Sequence, residues 1–188
     1  MNLGDQITLV RDTKATIIPA GEEHVIPSGT VVTISQALGG AVTIRTAEGL
    51  YRIPSKDWDA LGDAINAQLK EKASESDVVP EADVFSEELV WNALKQCFDP
   101  EIPLNIVDLG LIYDLKLLDG SATGKHRVQV QMTLTAQGCG MGPVIAEDAK
   151  TQIEKIPQVE SAEVSIVWEP PWTPHMISEE GRQVLGLE

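Results

Sequence analysis

The sequence predicts an α+β protein in two parts: a small all-β, barrel-like N-terminal domain and a two-layer C-terminal domain of order α-β-β-α-β. Short β-branched runs separated by glycine and proline turns predict the first part. Helical spacing of apolar residues, interrupted by alternating strands, predicts the second. Between them, residues 71–84 are polar, small and charged, as in a linker. We therefore expect domains at residues 1–70 and 85–188.

Four short runs rich in β-branched residues predict the strands of the N-terminal domain: residues 7–10, 30–34, 41–45 and 50–53. Gly39 and Gly40 separate the middle two runs, so we expect a hairpin there. Short strands with frequent turns are typical of a small SH3-like barrel. A helix that ends the domain is predicted by four apolar residues at spacings of three and four: Trp58, Leu61, Ile65 and Leu69.

The C-terminal domain begins with a helix for which Ser86 is the expected N-cap. This helix must end by Asp99, because the residue before a proline avoids the helical region and Pro100 follows. The remaining predicted elements are strands at 111–118, 128–134 and 164–168, a second helix led by Pro143, and a short final helix from Ser178. The helices are expected on one face of a three-stranded sheet.

Composition and charge argue against several classes of protein. The 188 residues include 14 basic and 29 acidic side chains, a formal net charge of −15. This balance argues against binding to nucleic acid and against electrostatic docking on anionic membranes. Residues 81–188 have a net charge of −11, so we expect any site for a cationic partner or a metal in this part of the chain. Most such charges, however, only keep a protein soluble.

The two cysteines, Cys97 and Cys139, are too few for a disulfide scaffold or for a self-contained zinc or iron–sulfur site. Cys97 lies on the apolar stripe of the first C-terminal helix, so we expect it to pack in the core. No signal peptide is recognisable, and no apolar run is long enough to span a membrane. We therefore expect a cytoplasmic protein with reduced thiols.

Cys139 is the strongest candidate for chemistry. The loop that carries it runs from Thr135 to the second helix and contains Gly138, Gly140 and Gly142. Backbone N–H groups at a helix start stabilise an anion, so a thiol placed there gains nucleophilicity or metal affinity. A buried structural cysteine, or a plain tight turn, would give the same pattern.

Asp99 and Glu101 flank Pro100, and Pro103 follows closely, so this acidic motif is expected to be stiff. Its carboxylates could bind a metal, act on Cys139, or accept hydrogen bonds from backbone N–H groups. Asp108, in a turn with a glycine, is expected to have only the last of these roles.

A third motif presents two tryptophans on a proline-rich loop that contains Trp168, Pro170, Pro171 and Trp172. Tryptophans on a stiff extended loop suit a docking surface for another protein. They could equally cover a sheet edge or the core. His175 follows and is a candidate ligand or proton carrier.

These motifs occur together in an order that resembles the SufT/PaaD family of iron–sulfur cluster assembly factors. The resemblance is carried by the segments 99–113, 133–139 and 167–172, and it covers residues 85–188. The N-terminal part, with its repeated Ile-Pro-x-Gly, is similar to the SufT branch of the family rather than to PaaD.

The resemblance implies a non-enzymatic role in maturing iron–sulfur proteins and a fold related to the cluster-assembly domain of NifU-like scaffolds. It implies that Cys139 is the reactive or ligating thiol, with Asp99 and Glu101 shaping the site. The implied partners are recipient proteins or Suf assembly components. Two departures stand out: Gly140 occupies a position where the family often has proline, and no Cys-x-x-Cys pair is present.

Without such a pair, one chain cannot hold a cluster as the NifU-like proteins do, so no tightly bound cofactor is expected, only transient iron or a transient cluster. Two copies of Cys139 meeting in a homo-oligomer could supply two ligands. Two other functions stay open. The protein could be a pure adaptor that binds through its acidic surface and tryptophans, or a thiol enzyme with Cys139 as nucleophile and His175 as base.

Overall fold

The computed structural model describes residues 4–76 and 85–187, and the chain forms two units, Met1–Val78 and Val79–Glu188. Both units combine helix and sheet, which agrees with the α+β class. Within the described residues, no helix combines the length and the apolar character that crossing a membrane requires.

The first unit contains six strands in one antiparallel sheet of order β1-β4-β5-β6-β2-β3. Their bounds are β1 Gln6–Thr8, β2 Thr13–Ile18, β3 Glu23–Ile26, β4 Val31–Leu38, β5 Ala41–Arg45 and β6 Leu50–Pro54. The hairpin expected around Gly39 and Gly40 is confirmed as the β4–β5 pair. The sequence prediction omitted β2 and β3. Closure of this sheet into a barrel stays a prediction.

The helix predicted from Trp58 to Leu69 is wrong as a single element. Residues Ser55–Leu61 form a 3₁₀ helix, and the α-helix α1, Asp63–Ser76, begins after Gly62. Gly62 has a φ of +94°, outside the helical region, so the chain changes direction there. The helix α1 extends past residue 70, the predicted domain end, and residues 77–84 of the predicted linker lie outside the described residues.

The second unit confirms the order α-β-β-α-β. Its elements are α2 Glu87–Leu94, β7 Ile112–Asp119, β8 His126–Met132, α3 Gly142–Glu154, β9 Val159–Ile166, a 3₁₀ helix Pro174–Met176 and α4 Glu179–Leu185. The sheet has the order β7-β8-β9, with β7 antiparallel and β9 parallel to β8. The third strand begins at Val159, five residues before its predicted start at 164. The prediction placed the start too late because the first part of the strand carries polar residues that face solvent.

The two faces of this sheet differ in polarity. Along β8 the side chains of Val128, Val130 and Met132 are buried, whereas Gln129 and Gln131 alternate with them and are exposed. The helix α3 packs against β9 and against α2. Alternation places the apolar side chains on the helix-covered face, so the other face stays polar.

A C-terminal segment, residues 167–187, crosses the loop that precedes β7. Gly110 in this loop has a φ of +72°, and a Cβ at this position would overlap the carbonyl oxygen of Met176. Gly181 is equally close to the loop, since a Cβ there would lie 2.8 Å from Cδ2 of Leu104. The two glycines therefore allow direct contact between the segment and the loop.

The Gly110→Ala variant is expected to lose about 3 kcal/mol or more of unfolding free energy, because the methyl group meets backbone and the left-handed φ itself costs about 1–2 kcal/mol. Gly124→Ala is the matched control: its φ is +76° and its Cβ would meet nothing within 4 Å. Urea unfolding of both variants checks this, and equal losses would show that the Met176 contact is unimportant.

Candidate functional site

Cys139 lies in the loop that joins β8 to α3, as the sequence predicted. The loop starts where the backbone N–H of Thr133 donates to the carbonyl of Leu111 at 2.8 Å. It ends in a turn in which the Cys139 carbonyl accepts from the N–H of Gly142 at 3.3 Å. Cys139 thus stands three residues before the first residue of α3.

The N-terminus of α3 has no side chain that neutralises its partial positive charge. The helix has no side-chain cap at its N-terminus and no acidic residue in its first turn. Gly142 allows tight packing here, because a Cβ would lie 2.7 Å from Cδ1 of Leu134 and 3.0 Å from Cδ1 of Ile166. The uncapped N–H groups of a helix start favour an anion.

The two thiols differ in access to solvent. Both cysteines are free, but Cys97 is only 2% exposed, whereas Cys139 is partly exposed. The prediction that Cys97 packs in the core is therefore confirmed, but its predicted place on the first C-terminal helix is wrong, because α2 ends at Leu94. In the described part of the chain, the structure records no hydrogen bond or ion pair for the Cys139 side chain, which leaves its sulfur free for a ligand.

Asp99 is a buried carboxylate that organises its own turn. Its Oδ1 accepts hydrogen bonds from the backbone N–H groups of Glu101 and Ile102, both at 2.8 Å. Burial raises the pKa of Asp99, and these two hydrogen bonds act in the opposite direction. At 7% exposure its side chain has little access to solvent, so it shapes the motif rather than presenting an oxygen.

Glu101 is the exposed member of the acidic motif. Its pKa is raised, first by partial desolvation and then by the charge of Asp99. The turn held by Asp99 therefore places one carboxyl group at the surface. Among the residues that the structure describes, no hydrogen bond joins this motif to Cys139.

Asp108 does not cap backbone groups as expected; Asn105 does. The Oδ1 of Asn105 accepts from the N–H groups of Val107 and Asp108, at 3.0 and 2.8 Å. The Asp108 carboxylate instead accepts from the Asn105 amide and from the Ser178 hydroxyl, the latter at 3.0 Å. The capping role of Asn105, which acts within three residues, was not predicted, and the contact of Ser178 with Asp108 was not predicted because it joins segments 70 residues apart.

The two tryptophans of the proline-rich loop have different surroundings. Trp172 donates from Nε1 to the Leu109 carbonyl at 2.8 Å and is half-buried, whereas Trp168 is 38% exposed. Pro170 is held by its carbonyl, which accepts from the Tyr113 hydroxyl at 2.8 Å. Pro171 beside it is exposed. The loop therefore has a fixed base and an exposed tip.

His175 is not brought into a thiol–imidazole pair. It lies in the 3₁₀ helix, it is exposed, and its carbonyl accepts from Arg182 at 2.8 Å. No hydrogen bond joins its ring to Cys139 in the part of the chain that the structure describes. Within the same residues, no group of three or more His, Cys, Asp or Glu side chains is arranged to hold a metal ion.

A cleft of about 600 Å³ opens beside the proline-rich loop, at the end of the sheet where β7 begins. Its lining residues come from three separate segments: Gly110, Ile112, Tyr113, Gln131, Val167, Glu169, Pro170 and Met176. The sequence analysis did not predict this cleft.

The match to a known protein family lies in the second unit. Residues 87–166 match the family described as iron–sulfur cluster assembly protein. The chain is 38% identical over 101 residues to the Fe–S protein maturation auxiliary factor YitW of Bacillus subtilis, which covers 54% of this chain and 94% of YitW. It is 44% identical over 90 residues to the Fe–S protein maturation auxiliary factor SufT of Staphylococcus aureus, covering 47% and 96%.

Among solved structures, a domain of unknown function DUF59 from Bacillus anthracis is similar to the chain. Its sequence is 32% identical, and the match covers 54% of this chain and 92% of the other. The TM-score is 0.48.

The Asp99→Asn variant is expected to alter how stability depends on pH. Because burial raises the Asp99 pKa, the folded protein keeps this proton to a higher pH than the unfolded chain does. The stability contributed by Asp99 therefore falls as pH rises above about 4, the ordinary aspartate value. Asparagine keeps the acceptor oxygen without the charge, so the unfolding free energy of the variant should rise relative to wild type as pH increases above about 4 in urea unfolding.

Asp99→Ala is the control, since it removes the acceptor as well as the charge. It should lose about 2 kcal/mol at pH 4, because two backbone donors lose their partner. A difference between Asp99→Asn and wild type that does not change with pH would contradict the role of the buried charge.

Proposed function

Because the chain belongs to the family of Fe–S protein maturation auxiliary factors, we propose that it is an accessory factor that helps to assemble iron–sulfur clusters or to deliver them to recipient proteins. The observation that carries this function is the sequence similarity to SufT and YitW, 44% and 38% identity over nearly the whole length of those two proteins. We further propose that the role is non-enzymatic and that it is performed in the cytoplasm, where free thiols persist.

Cys139 is the proposed ligating thiol. Three observations support it: partial exposure, the absence of a disulfide, and a position just before an uncapped helix start. Thiolates are the usual ligands of iron–sulfur clusters, and a cluster held by thiolates is an anionic group that a helix N-terminus favours. The flanking Gly138, with a φ of +80°, lets the backbone turn sharply beside the sulfur.

The cluster is a transient cargo rather than a resident cofactor of one chain. A [2Fe–2S] or [4Fe–4S] cluster takes four ligands, and Cys139 is the single accessible cysteine that this chain supplies. Two copies of the protein in a homo-oligomer would supply two thiolates, and the other positions would stay open for thiols of a donor or recipient. Incomplete ligation of this kind suits a protein that passes its cargo on.

The acidic motif has two different parts in this proposal. Asp99 fixes the turn through its bonds to the N–H groups of Glu101 and Ile102. Glu101 then presents an exposed carboxylate, which is an oxygen ligand that ferrous iron accepts. Thr135, Gly140 and Gly142 belong to the loop that carries the thiol and serve to shape it.

Docking to partners is proposed for the tip of the proline-rich loop and for the first unit. Trp168 is exposed next to Pro170 and Pro171, and a large aromatic side chain on a stiff loop is a common anchor at interfaces. Trp172, which donates to Leu109, supports the base of the loop. The proposed partners are iron–sulfur recipient proteins and components of the Suf assembly system.

A pure adaptor is the second candidate function. The observation that favours it is the exposed Trp168 beside a preformed cleft, since neither feature requires a thiol. In that case a partner would be captured as well by Cys139→Ser as by the wild-type protein.

Anaerobic reconstitution with ferric iron, sulfide and a thiol reductant tests the proposed thiol. The wild-type protein should develop a cluster chromophore with about one cluster per two chains, because each chain gives one thiolate. The Cys139→Ser variant should lose the chromophore. Absorbance together with iron and sulfide content per chain gives the stoichiometry, and gel filtration of the loaded protein shows whether it is dimeric.

The matched control is Cys97→Ala, which removes the buried thiol and should leave reconstitution unchanged. A chromophore of equal intensity in Cys139→Ser, or a loaded monomer, would refute the bridged cluster. Absence of a chromophore from wild type, together with capture of recipient proteins by Cys139→Ser, would favour the adaptor.

A further inference from the structure

The cleft beside the proline-rich loop has a preformed shape. One wall is fixed by the hydrogen bond from the Tyr113 hydroxyl to the Pro170 carbonyl, at 2.8 Å. The floor is fixed where Gly110 lets the backbone of Met176 approach. A ligand would therefore find the cleft already in place and would lose little free energy in ordering it.

The lining combines apolar walls with a carboxylate that has no partner. Ile112, Val167 and Met176 provide the apolar surface. Glu169 lies on the exposed loop and lines the cleft, and no hydrogen bond or ion pair of its side chain is recorded in the described part of the chain. Such a lining is complementary to a side chain with an aliphatic stem and a positively charged head.

A guanidinium group fits this lining better than an ammonium group does. The ring of Tyr113 is half-buried in the cleft wall and offers an aromatic surface, on which a planar cation can stack. The Glu169 carboxylate can accept two parallel N–H bonds from a guanidinium. The amide of Gln131, which also lines the cleft, adds a polar acceptor.

The surrounding charge favours the same ligand. Residues 81–188 carry a net charge of −11, which repels anionic ligands and attracts cationic ones. The cleft shares Gln131 with a smaller groove on the polar face of the sheet, of about 150 Å³ and lined by Asp114 and Glu163 among others. The cation on this groove, Lys116, already pairs with Asp114 at 3.0 Å.

We propose that this cleft binds an arginine side chain on a protein that docks against the second unit. The inference deepens the docking part of the proposed function and is independent of the Cys139 thiol. It assigns to Glu169 the recognition of the guanidinium, and to Tyr113 and the apolar walls the binding of its plane and stem.

The test is a titration of the ¹⁵N-labelled full chain with an acetylated and amidated Ala-Arg-Ala peptide, followed by amide chemical shifts. The control peptide has citrulline in place of arginine, which keeps the shape and removes the charge. Saturable shifts are expected at the amides of Ile112, Tyr113 and Val167. The citrulline peptide should bind about tenfold more weakly, because it loses a charged hydrogen-bonded pair.

The Glu169→Gln variant should lose the preference for arginine and bind both peptides alike. Its matched control is Glu147→Gln, which removes the same charge from an exposed position on α3 and should keep the preference. Glu169 is exposed, so the substitution leaves the fold intact. Equal binding of the two peptides by wild type, shifts confined to other regions, or an unchanged preference in Glu169→Gln would each overturn the proposal.

The Cys139→Ser variant separates this inference from the proposed thiol chemistry. It should bind the arginine peptide as wild type does. If wild type binds the arginine peptide but forms no cluster on reconstitution, only the thiol role is refuted. If wild type forms a cluster but gives no saturable response to the peptide, only the cleft proposal is refuted.

Discussion

The contact between Asp108 and Ser178 connects the parts of the second unit that the candidate site needs. The Asp108 carbonyl accepts from the Ser178 N–H at 2.8 Å, and its carboxylate accepts from the Ser178 hydroxyl. This double contact holds the C-terminal segment on the loop before β7. The end of the same loop, at Leu111, receives the N–H of Thr133, from which the chain leads to Cys139. One loop thus supports the cleft, the tryptophans and the thiol-bearing segment.

The second unit places the proposed ligating thiol and the proposed partner-binding cleft on different loops. The thiol stands on the connection from β8 to α3, where glycines and a helix start surround it. The exposed Trp168 and the cleft belong to the segment after β9 and to the start of β7. A rigid sheet holds both sets in fixed positions while leaving them on the surface, which is how many proteins place functional loops. If the protein is a carrier as proposed, this arrangement lets a partner remain bound while the cargo changes ligands.

Much of this organisation could be predicted from the sequence, where local patterns dominate. Strict alternation identified β8, and the glycine-rich turn placed Cys139 between strand and helix. The pair Asp99-Pro100 gave only an upper limit for the first C-terminal helix, which ends earlier, at Leu94. Prediction failed where local pattern and structure diverge. The apolar spacing around Trp58 and Leu69 continues across Gly62, although the φ of Gly62 interrupts the helix. The strand β3 was not predicted because three of its four residues are exposed, so its sequence shows no alternation of apolar and polar residues.

The cleft and the Asp108 contact could not be predicted for a different reason. Their members are remote in sequence, and each residue has an ordinary local setting. Gly110 illustrates this: its need for a positive φ could be suspected from its turn, but the carbonyl of Met176 that excludes a side chain is visible only in three dimensions. Likewise, the sequence predicts only that Tyr113 lies in a strand, and the hydrogen bond from its hydroxyl to the Pro170 carbonyl is visible only in the structure. Tertiary contacts of this kind determine the site, whereas local propensity determines the elements.

The distance in sequence between Asp108 and Ser178, 70 residues, has a consequence for biosynthesis. During translation the loop before β7, the strands β7 and β8 and the thiol-bearing connection leave the ribosome well before Ser178 does. Until residues 170–178 follow, the Tyr113 hydroxyl lacks its acceptor at Pro170, the Asp108 carboxylate lacks its second donor at Ser178, and the cleft lacks one wall. The nascent chain can thus form the β7–β8 hairpin early but completes the proposed partner-binding cleft late. Translation order itself would delay the proposed recognition of partners until the second unit is nearly whole.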